Sequence, residues 1–181
     1  PEILRTIERH ILEYSPFLVY AKALQEFFRG HEMTASEWEL AGPENGGSRM
    51  FPVLDQYQKE GYHGVMKIAE QYGGAFLCDG VGLGKTFIGL MVIERLIHEK
   101  KNVALFVPKA AREDVWERDL GRYLPHLSSS IYSHLTIFNH TDLLRTGKWQ
   151  KDLERVKEMA DAIVIDEAHH VEDEATRRFG F

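Results

Sequence analysis

The sequence predicts an α/β fold in which a parallel β-sheet is covered by helices on both faces. From Ala75 onward, short apolar runs alternate with longer segments whose apolar residues recur at helical spacing. Strands that alternate with helices imply right-handed crossovers, and these pair the strands in parallel. The run Ala162–Ile165, which is apolar throughout, is typical of a strand buried on both of its faces.

The N-terminal part of the chain is predicted to be helical and to differ from the rest of the chain. Apolar residues recur at helix-like spacing through residues 1–30, and Pro16 is expected to start a second helical segment. Residues 41–50 are rich in glycine, so we expect a mobile loop there. The predicted domains are a helical extension over 1–50 and an α/β domain over 51–181.

The elements of the α/β domain are expected to follow one another with short connections. We found no internal repeat and no low-complexity run that would suggest another architecture. The predicted order is a helix over 57–72, a strand from Ala75, a glycine-rich loop, a helix over 86–99, a strand over 102–107, a helix over 110–124, a strand over 134–138, a helix over 148–160 and a strand over 162–165.

The glycine-rich loop has the pattern of a phosphate-binding loop. It reads Asp-Gly-Val-Gly-Leu-Gly-Lys-Thr over 79–86, with Asp79 where the strict pattern has glycine. Glycines let the backbone turn its N–H groups toward one anion, and the following helix adds the partial positive charge of its N-terminus. Lys85 would reach the β- and γ-phosphates, and the Thr86 hydroxyl would ligate Mg²⁺. The alternative is a glycine-rich turn with a chance Lys-Thr pair. The predicted nucleotide-binding residues are Gly80, Gly82, Leu83, Gly84, Lys85, Thr86 and Phe87.

Two carboxylates follow the last predicted strand. Asp166 and Glu167 stand at the carboxyl end of 162–165, where open α/β sheets place their ligands. Asp166 would hold Mg²⁺, and Glu167 would orient and deprotonate the water that attacks the γ-phosphate. The alternative is a helix cap, since acidic residues suit a first turn. With the phosphate loop, the pair predicts an ATPase that uses Lys85, Asp166 and Glu167 in catalysis.

Composition and charge exclude several other classes of protein. The chain has 181 residues, 44% of them hydrophobic and 28% charged, which is ordinary for a globular protein. No apolar stretch approaches the ~20 residues of a membrane span. Cys78 is the single cysteine, which rules out an internal disulfide. We therefore expect a cytoplasmic protein with no membrane partner. The net charge of −6 argues against a histone-like nucleic-acid binder.

The motifs together resemble a known family, the first RecA-like domain of superfamily-two helicases and translocases, closest to the Swi/Snf-type branch. That branch writes its phosphate loop as Asp-x-x-Gly-Leu-Gly-Lys-Thr, as residues 79–86 do. Its second motif, Asp-Glu-Ala-His, matches 166–169, and its upstream Leu-x-x-Tyr-Gln-x-x-Gly matches 54–61. Bacterial helicase-related proteins often continue the second motif with a second histidine, here His170. The resemblance covers roughly residues 50–175 and implies a RecA-like fold with ATP and Mg²⁺ as cofactors.

The resemblance also assigns roles to individual residues. It makes Gln58 the residue that recognises the adenine edge, which suits an amide with both a donor and an acceptor; the alternative is a solvated helix residue. It makes His169 the link between the ATP site and a third motif. It implies that two turns contact the phosphodiester backbone of DNA, although ordinary strand-to-helix capping explains them equally well. The possible DNA contacts are Pro108, Lys109, Asn139 and His140.

The predicted function is the ATP-binding lobe of a DNA-dependent helicase or translocase, with duplex DNA favoured over single strands. The family's motor needs a second RecA-like lobe, which supplies arginines that stabilise the transferred phosphoryl group. That lobe is not in this sequence, so the isolated chain is expected to hydrolyse ATP weakly or not at all. Two other classes remain open: a nucleotide-dependent remodelling ATPase, and an interaction module regulated by nucleotide.

Overall fold

The computed structural model of the protein describes residues 15–21, 35–78, 82–128, 134–144, 151, 154, 156 and 158–169. The chain divides into two compact units, Pro1–Thr34 and Ala35–Phe181. In the first unit, helix α1 covers 16–21 and begins at Pro16 as predicted. The rest of the helical prediction for residues 1–30 lies outside the described residues, and the predicted domain boundaries stay predictions.

The second unit alternates helices and strands along most of its length. Its predicted helix over 57–72 and its predicted strands over 102–107, 134–138 and 162–165 are present to within one residue at either end. The described residues of 151–159 are helical, within the predicted helix over 148–160. The elements are α2 (Glu37–Ala41), α3 (Gln56–Tyr72), α4 (Lys85–His98), β1 (Val103–Val107), α5 (109–123), α6 (Pro125–Ser128), β2 (Leu135–Asn139) and β3 (Ala162–Ile165), with 3₁₀ turns at Pro43–Asn45, Phe51–Val53 and His140–Leu144.

The three strands form a parallel sheet in the order β2-β1-β3, which confirms the predicted parallel pairing. Val103, at the start of β1, pairs with Leu135 on one side and with Ala162 on the other. All five residues of β1 are buried. The central strand is therefore covered on both faces and paired on both edges, as parallel sheets require.

Alternate residues of β1 serve two separate hydrophobic clusters. Val103, Leu105 and Val107 pack with helix α4 in the main core. Ala104 and Phe106 pack on the opposite face, where the Phe106 ring stacks on Phe138 at 5.2 Å between ring centroids. Val156 and Ala160, in and just after the helical segment before β3, cover this second face. Both faces of the sheet are covered at β1, as predicted. The predicted burial of β3 on both of its faces is wrong, because Ile163 is 55% and Ile165 is 42% exposed. No described element packs over that side of this outer strand.

The strand predicted from Ala75, before the phosphate loop, is not formed by residues 74–78 of the described chain. Residues 74–78 form no strand with any described residue, and the Phe76 side chain is 86% exposed. A strand exists only by pairing, and β1 already has β2 and β3 on its two edges. The apolar run could pair only with the outer edge of β2 or β3, and a local sequence pattern does not show whether that pairing forms.

A buried carboxylate joins the segment before α3 to the middle of helix α4. Glu94 is 5% exposed, and it accepts hydrogen bonds from the Ser48 hydroxyl at 2.5 Å, the Arg49 N–H at 2.7 Å and the Met50 N–H at 3.1 Å. Ser48 and Met50 are fully buried. These contacts fall within the predicted loop of 41–50, whose mobility stays a prediction.

A second buried carboxylate, Glu39, joins helix α2 to α3 and α4. Sequence reasoning missed α2, although Ser36 and Glu39 form the capping-box pattern that marks a helix start. Glu39 accepts from the Tyr62 hydroxyl and lies 3.3 Å from Arg95 Nη1. Burial alone would raise the pKa of Glu39, but the hydrogen bonds from Tyr62, the Ser36 N–H and His63 hold it below its ordinary value. Its carboxylate therefore stays charged inside the fold.

No helix among the described residues is long and apolar enough to cross a membrane.

We predict that Tyr62→Phe lowers the free energy of unfolding by about 1.5–3 kcal/mol, because the buried Glu39 carboxylate loses a charge-assisted hydrogen bond. Chemical denaturation followed by circular dichroism would measure this. Tyr72→Phe is the matched control on the same helix, since Tyr72 is 70% exposed, and it should change stability little.

The effect of Tyr62→Phe should also depend on pH. Because the folded-state pKa of Glu39 is below 4.5, its contribution is present above pH 4.5 and is lost as the pH falls through that lowered value. The loss of stability should therefore be largest near neutral pH and should shrink in acid. An equal loss in acid and at neutral pH would contradict the assignment.

Candidate nucleotide-binding site

The end of the glycine-rich loop leads directly into helix α4. Gly82 and Gly84 have φ values of 84° and 76°, in the left-handed region that favours glycine. Gly84 precedes the first helical residue, Lys85, and its carbonyl accepts from the Phe87 N–H at 2.9 Å. Lys85 and Thr86 occupy the first two positions of α4, where a phosphate would meet the N–H groups of a helix N-terminus. Asp79, Gly80 and Val81 lie outside the described residues.

Gln58 lies against the end of this loop. Its side chain is 6% exposed, and its Nε2 lies 3.4 Å from the Leu83 carbonyl oxygen. A Cβ built on Gly84 would stand 2.4 Å from the same Nε2, so the two residues are in close contact. The Oε1 atom accepts from the Asp55 N–H at 3.0 Å, which completes a capping box at the start of α3. Both ends of the amide are used within the protein, and adenine recognition by Gln58 stays a prediction.

Asp166 and Glu167 follow β3 at the carboxyl end of the sheet. The Asp166 N–H donates to the Phe106 carbonyl at 2.9 Å, which extends the pairing of β1 and β3 by one bond. Glu167 has a φ of 50°, a left-handed conformation that is strained for a residue other than glycine. The turn leaves the Glu167 side chain 49% exposed. The carboxyl group of Glu167 is thus presented to solvent at the sheet's edge by a strained backbone.

His169 stands beside Glu167. Its Nδ1 lies 3.4 Å from Glu167 Oε2, and the imidazole is 66% exposed. A histidine at this distance can orient the carboxylate by a hydrogen bond. The coupling role of His169 stays a prediction, and His170 lies outside the described residues.

Trp116 joins the acidic turn to helix α4, and its contact with Asp166 was missed by sequence reasoning. Its indole Nε1 donates to Asp166 Oδ2 at 2.8 Å, and the side chain is 2% exposed. The ring packs against Gly89, where an added Cβ would stand 2.8 Å from Trp116 Cη2. This burial places the tryptophan in the core. No local pattern marks the hydrogen bond, because its partners are 50 residues apart.

Helix α4 and strand β3 contact each other, so the phosphate loop's end and the acidic turn belong to one assembly. The chain offers the Thr86 hydroxyl in the first turn of α4 and the carboxylates of Asp166 and Glu167 directly after β3. Oxygen ligands of this kind are those that Mg²⁺ prefers, and helix N-termini bind phosphates. The residues therefore fit a nucleotide with its magnesium ion. Phe87, also predicted here, packs edge-on against Tyr123 at 5.4 Å between ring centroids.

The four residues predicted to contact DNA stand just after β1 and at the end of β2. Lys109 has an exposed side chain at the start of α5, and Pro108 before it is partly buried. His140 is 5% exposed, and its Nε2 has no hydrogen-bond partner among the described residues. The Asn139 N–H donates to Asp142 Oδ2 at 2.8 Å, an arrangement that caps the following turn. Of the four, Lys109 is the side chain most open to a nucleic acid, and all four contacts remain predictions.

We predict that Gly89→Ala lowers the free energy of unfolding by about 1–3 kcal/mol, because its methyl group would overlap the rigid indole of Trp116. Gly64→Ala is the matched control in helix α3, where an added Cβ meets no atom within 4 Å. That change should stabilise the protein by up to about 1 kcal/mol through helix propensity. Thermal unfolding of the two variants checks the pair, and equal effects would contradict the close packing at Gly89.

Comparison with known proteins adds one family to these observations. The family described as type III restriction enzyme, res subunit (ResIII), matches residues 52–179. No curated protein and no solved structure gave a match. The ResIII domain is a P-loop domain of the superfamily-two helicase kind, which confirms the predicted superfamily, while the Swi/Snf branch stays a prediction. The match covers most of the chain, so the protein belongs to the ResIII family and carries its helicase-like, ATP-dependent ATPase lobe.

Proposed function

We propose that this chain is the ATP-binding lobe of a motor that couples ATP hydrolysis to movement on DNA, with duplex DNA as its track. The observation that carries the proposal is that the indole of Trp116 contacts both helix α4 and the acidic turn. It packs against Gly89, in the helix that follows the left-handed glycines, and donates to Asp166, at the carboxyl edge of the parallel sheet. Nucleotide-binding sheets place ligands at this edge.

In this proposal, Lys85 and the first N–H groups of α4 neutralise the phosphates, since a helix N-terminus favours negative charge. Thr86 and Asp166 would hold a magnesium ion, which when bound neutralises developing charge on the phosphoryl group. Glu167 accepts a proton from the attacking water, and its exposed position leaves room for that water. His169 orients Glu167 through the contact at 3.4 Å.

Gln58 would act in two ways. Its capping box fixes the start of α3, and its Nε2 tethers the Leu83 carbonyl at the end of the phosphate loop. For Gln58 to reach an adenine edge, at least one of these internal hydrogen bonds must be exchanged. Binding of the adenine base would then change the contact between Gln58 and the end of the phosphate loop.

We predict that Lys85→Ala weakens binding of a fluorescent ATP analogue by tenfold or more, because one full positive charge beside the phosphates is lost. Titration of the chain in the presence of Mg²⁺ measures this. Lys67→Ala, on helix α3, is a charge-matched control and should leave the affinity unchanged. Equal affinities for wild type and Lys85→Ala would refute the phosphate loop.

We predict that Glu167→Gln separates binding from hydrolysis. The amide keeps the shape of the side chain but cannot accept the proton, so nucleotide affinity should persist while hydrolysis falls by 10²-fold or more. Steady-state hydrolysis measured together with the binding titration makes the test, and the second lobe should be added where wild-type turnover is slow. Undiminished hydrolysis would remove Glu167 from the mechanism.

The DNA partner is tested through Lys109. If α5 begins at a DNA contact, Lys109→Ala should weaken duplex binding and flatten its salt dependence without changing nucleotide affinity. Fluorescence anisotropy with a labelled duplex and a labelled single strand measures both. Nucleotide binding without binding to either DNA would instead favour a remodelling ATPase or a nucleotide-regulated interaction module.

A further inference from the structure

The hydrogen bond between Trp116 and Asp166 uses the only polar atom of a buried side chain. An indole carries one donor and no acceptor, and this N–H is committed to Asp166 Oδ2 at 2.8 Å. A buried N–H without a partner carries a desolvation penalty, so the fold favours an acceptor oxygen at this position, which Asp166 Oδ2 supplies. The second oxygen, Oδ1, is left for another partner.

The helix that presents Trp116 departs from regular α-helical geometry at that residue. Helix α5 consists of α-helical Lys109–Ala111, a π-helical stretch over Arg112–Glu117 and α-helical Arg118–Tyr123. A π-helical turn holds an extra residue, so the following side chains are rotated by about 100° around the axis from the positions they would have in an α-helix. Such turns are rare and occur frequently at functional sites.

The other side of the indole lies against helix α4, one turn after Lys85. Only a glycine at position 89 leaves room for the ring, because an added Cβ would stand 2.8 Å from Cη2. Residues four apart in a helix lie on the same face, so Gly89 and Lys85 share the side of α4 that faces the indole. Trp116 is therefore held between the phosphate-binding helix and the carboxylate that would face the metal.

We propose that Trp116 is a positioning residue for Asp166: its N–H fixes the carboxylate so that Oδ1 is presented to the magnesium ion of the bound nucleotide. The inference rests on the proposed function of this site. Groups that orient metal-binding carboxylates typically change metal affinity by 10–100-fold when they are removed. A residue that only fills the core would have no such selective effect on metal.

The test compares nucleotide affinity with and without metal. A fluorescent ATP analogue is titrated into the chain in excess Mg²⁺ and again in EDTA. The quantity compared is the affinity in Mg²⁺ divided by the affinity in EDTA. Trp116→Phe keeps an aromatic ring but lacks the donor, so this ratio should fall by about tenfold or more while the affinity in EDTA stays the same. Trp38→Phe is the control, because Trp38 stacks on His98 at the C-terminal end of α4, and the described hydrogen bond to the Asp166 carboxylate comes from Trp116.

A second variant preserves the shape of the indole. With Trp38→Phe and Trp149→Phe, Trp116 is the only tryptophan left, and it can be replaced by β-(3-benzothienyl)alanine, in which sulfur stands where the N–H was. This replacement should lower the ratio as Trp116→Phe does, even where the phenylalanine variant fails to fold.

The outcomes separate the two proposals. An unchanged ratio in a folded variant, or an equal loss of affinity with and without Mg²⁺, would overturn the positioning role while leaving the nucleotide site intact. A wild-type chain that binds the ATP analogue in neither condition would overturn the proposed function and this inference with it.

Discussion

The site depends on the burial of strand β1 at the centre of the sheet. Its five residues are covered on both faces and paired on both edges, so its direction and register are fixed by packing. The Phe106 carbonyl holds the N–H of Asp166, and the chain that leaves β1 forms the helix that carries Trp116. A shift of β1 by one residue would exchange its two faces and move the acidic turn with it. The positions of Asp166 and Trp116 therefore depend on β1, although no residue of β1 has a proposed chemical role.

Helix α4 is fixed from its other side by two buried carboxylates. Glu94 accepts hydrogen bonds from residues 48–50, and Glu39 interacts with Arg95 on the following position of the helix. Both carboxylates are no more than 5% exposed, and each is surrounded by donors, which is the condition under which buried charge is tolerated. Helix α4, whose N-terminus would hold phosphate, is thus held at Glu94 and Arg95 by contacts with Glu39 and residues 48–50, which precede Gln58 in the chain.

Sequence patterns predicted the features that depend on local chemistry and on burial. The three paired strands were predicted from short segments rich in apolar residues, although only β1 is buried throughout. Gly82 and Gly84 were predicted because phosphate loops need left-handed turns. The helix start at Gln56 carried a readable signal in Asp55 and Gln58, whose capping box moves the boundary one residue from the prediction. For these parts of the fold, the residues that give the signal lie within a few positions of the feature that they predict.

The features that sequence reasoning missed depend on contacts between distant residues. The apolar run at 74–78 resembles a strand, but its pairing requires a free edge that the run itself does not encode. The π-helical stretch over Arg112–Glu117 and the Trp116–Asp166 bond arise from packing against α4 and β3, which precede and follow them by tens of residues. The burial of His140, which is 5% exposed, was likewise not readable from the sequence, and the DNA contact that the resemblance implies for it stays a prediction.

The left-handed backbone of Glu167 lowers the stability of the fold at the residue proposed to activate water. A non-glycine residue in this conformation costs the fold on the order of 1 kcal/mol, which a glycine would recover in part. A laboratory selection for heat-resistant variants of this domain would therefore be drawn toward position 167. If the proposed function holds, the selected variants would unfold at higher temperatures and still bind nucleotide, but they would lack the carboxylate that activates water.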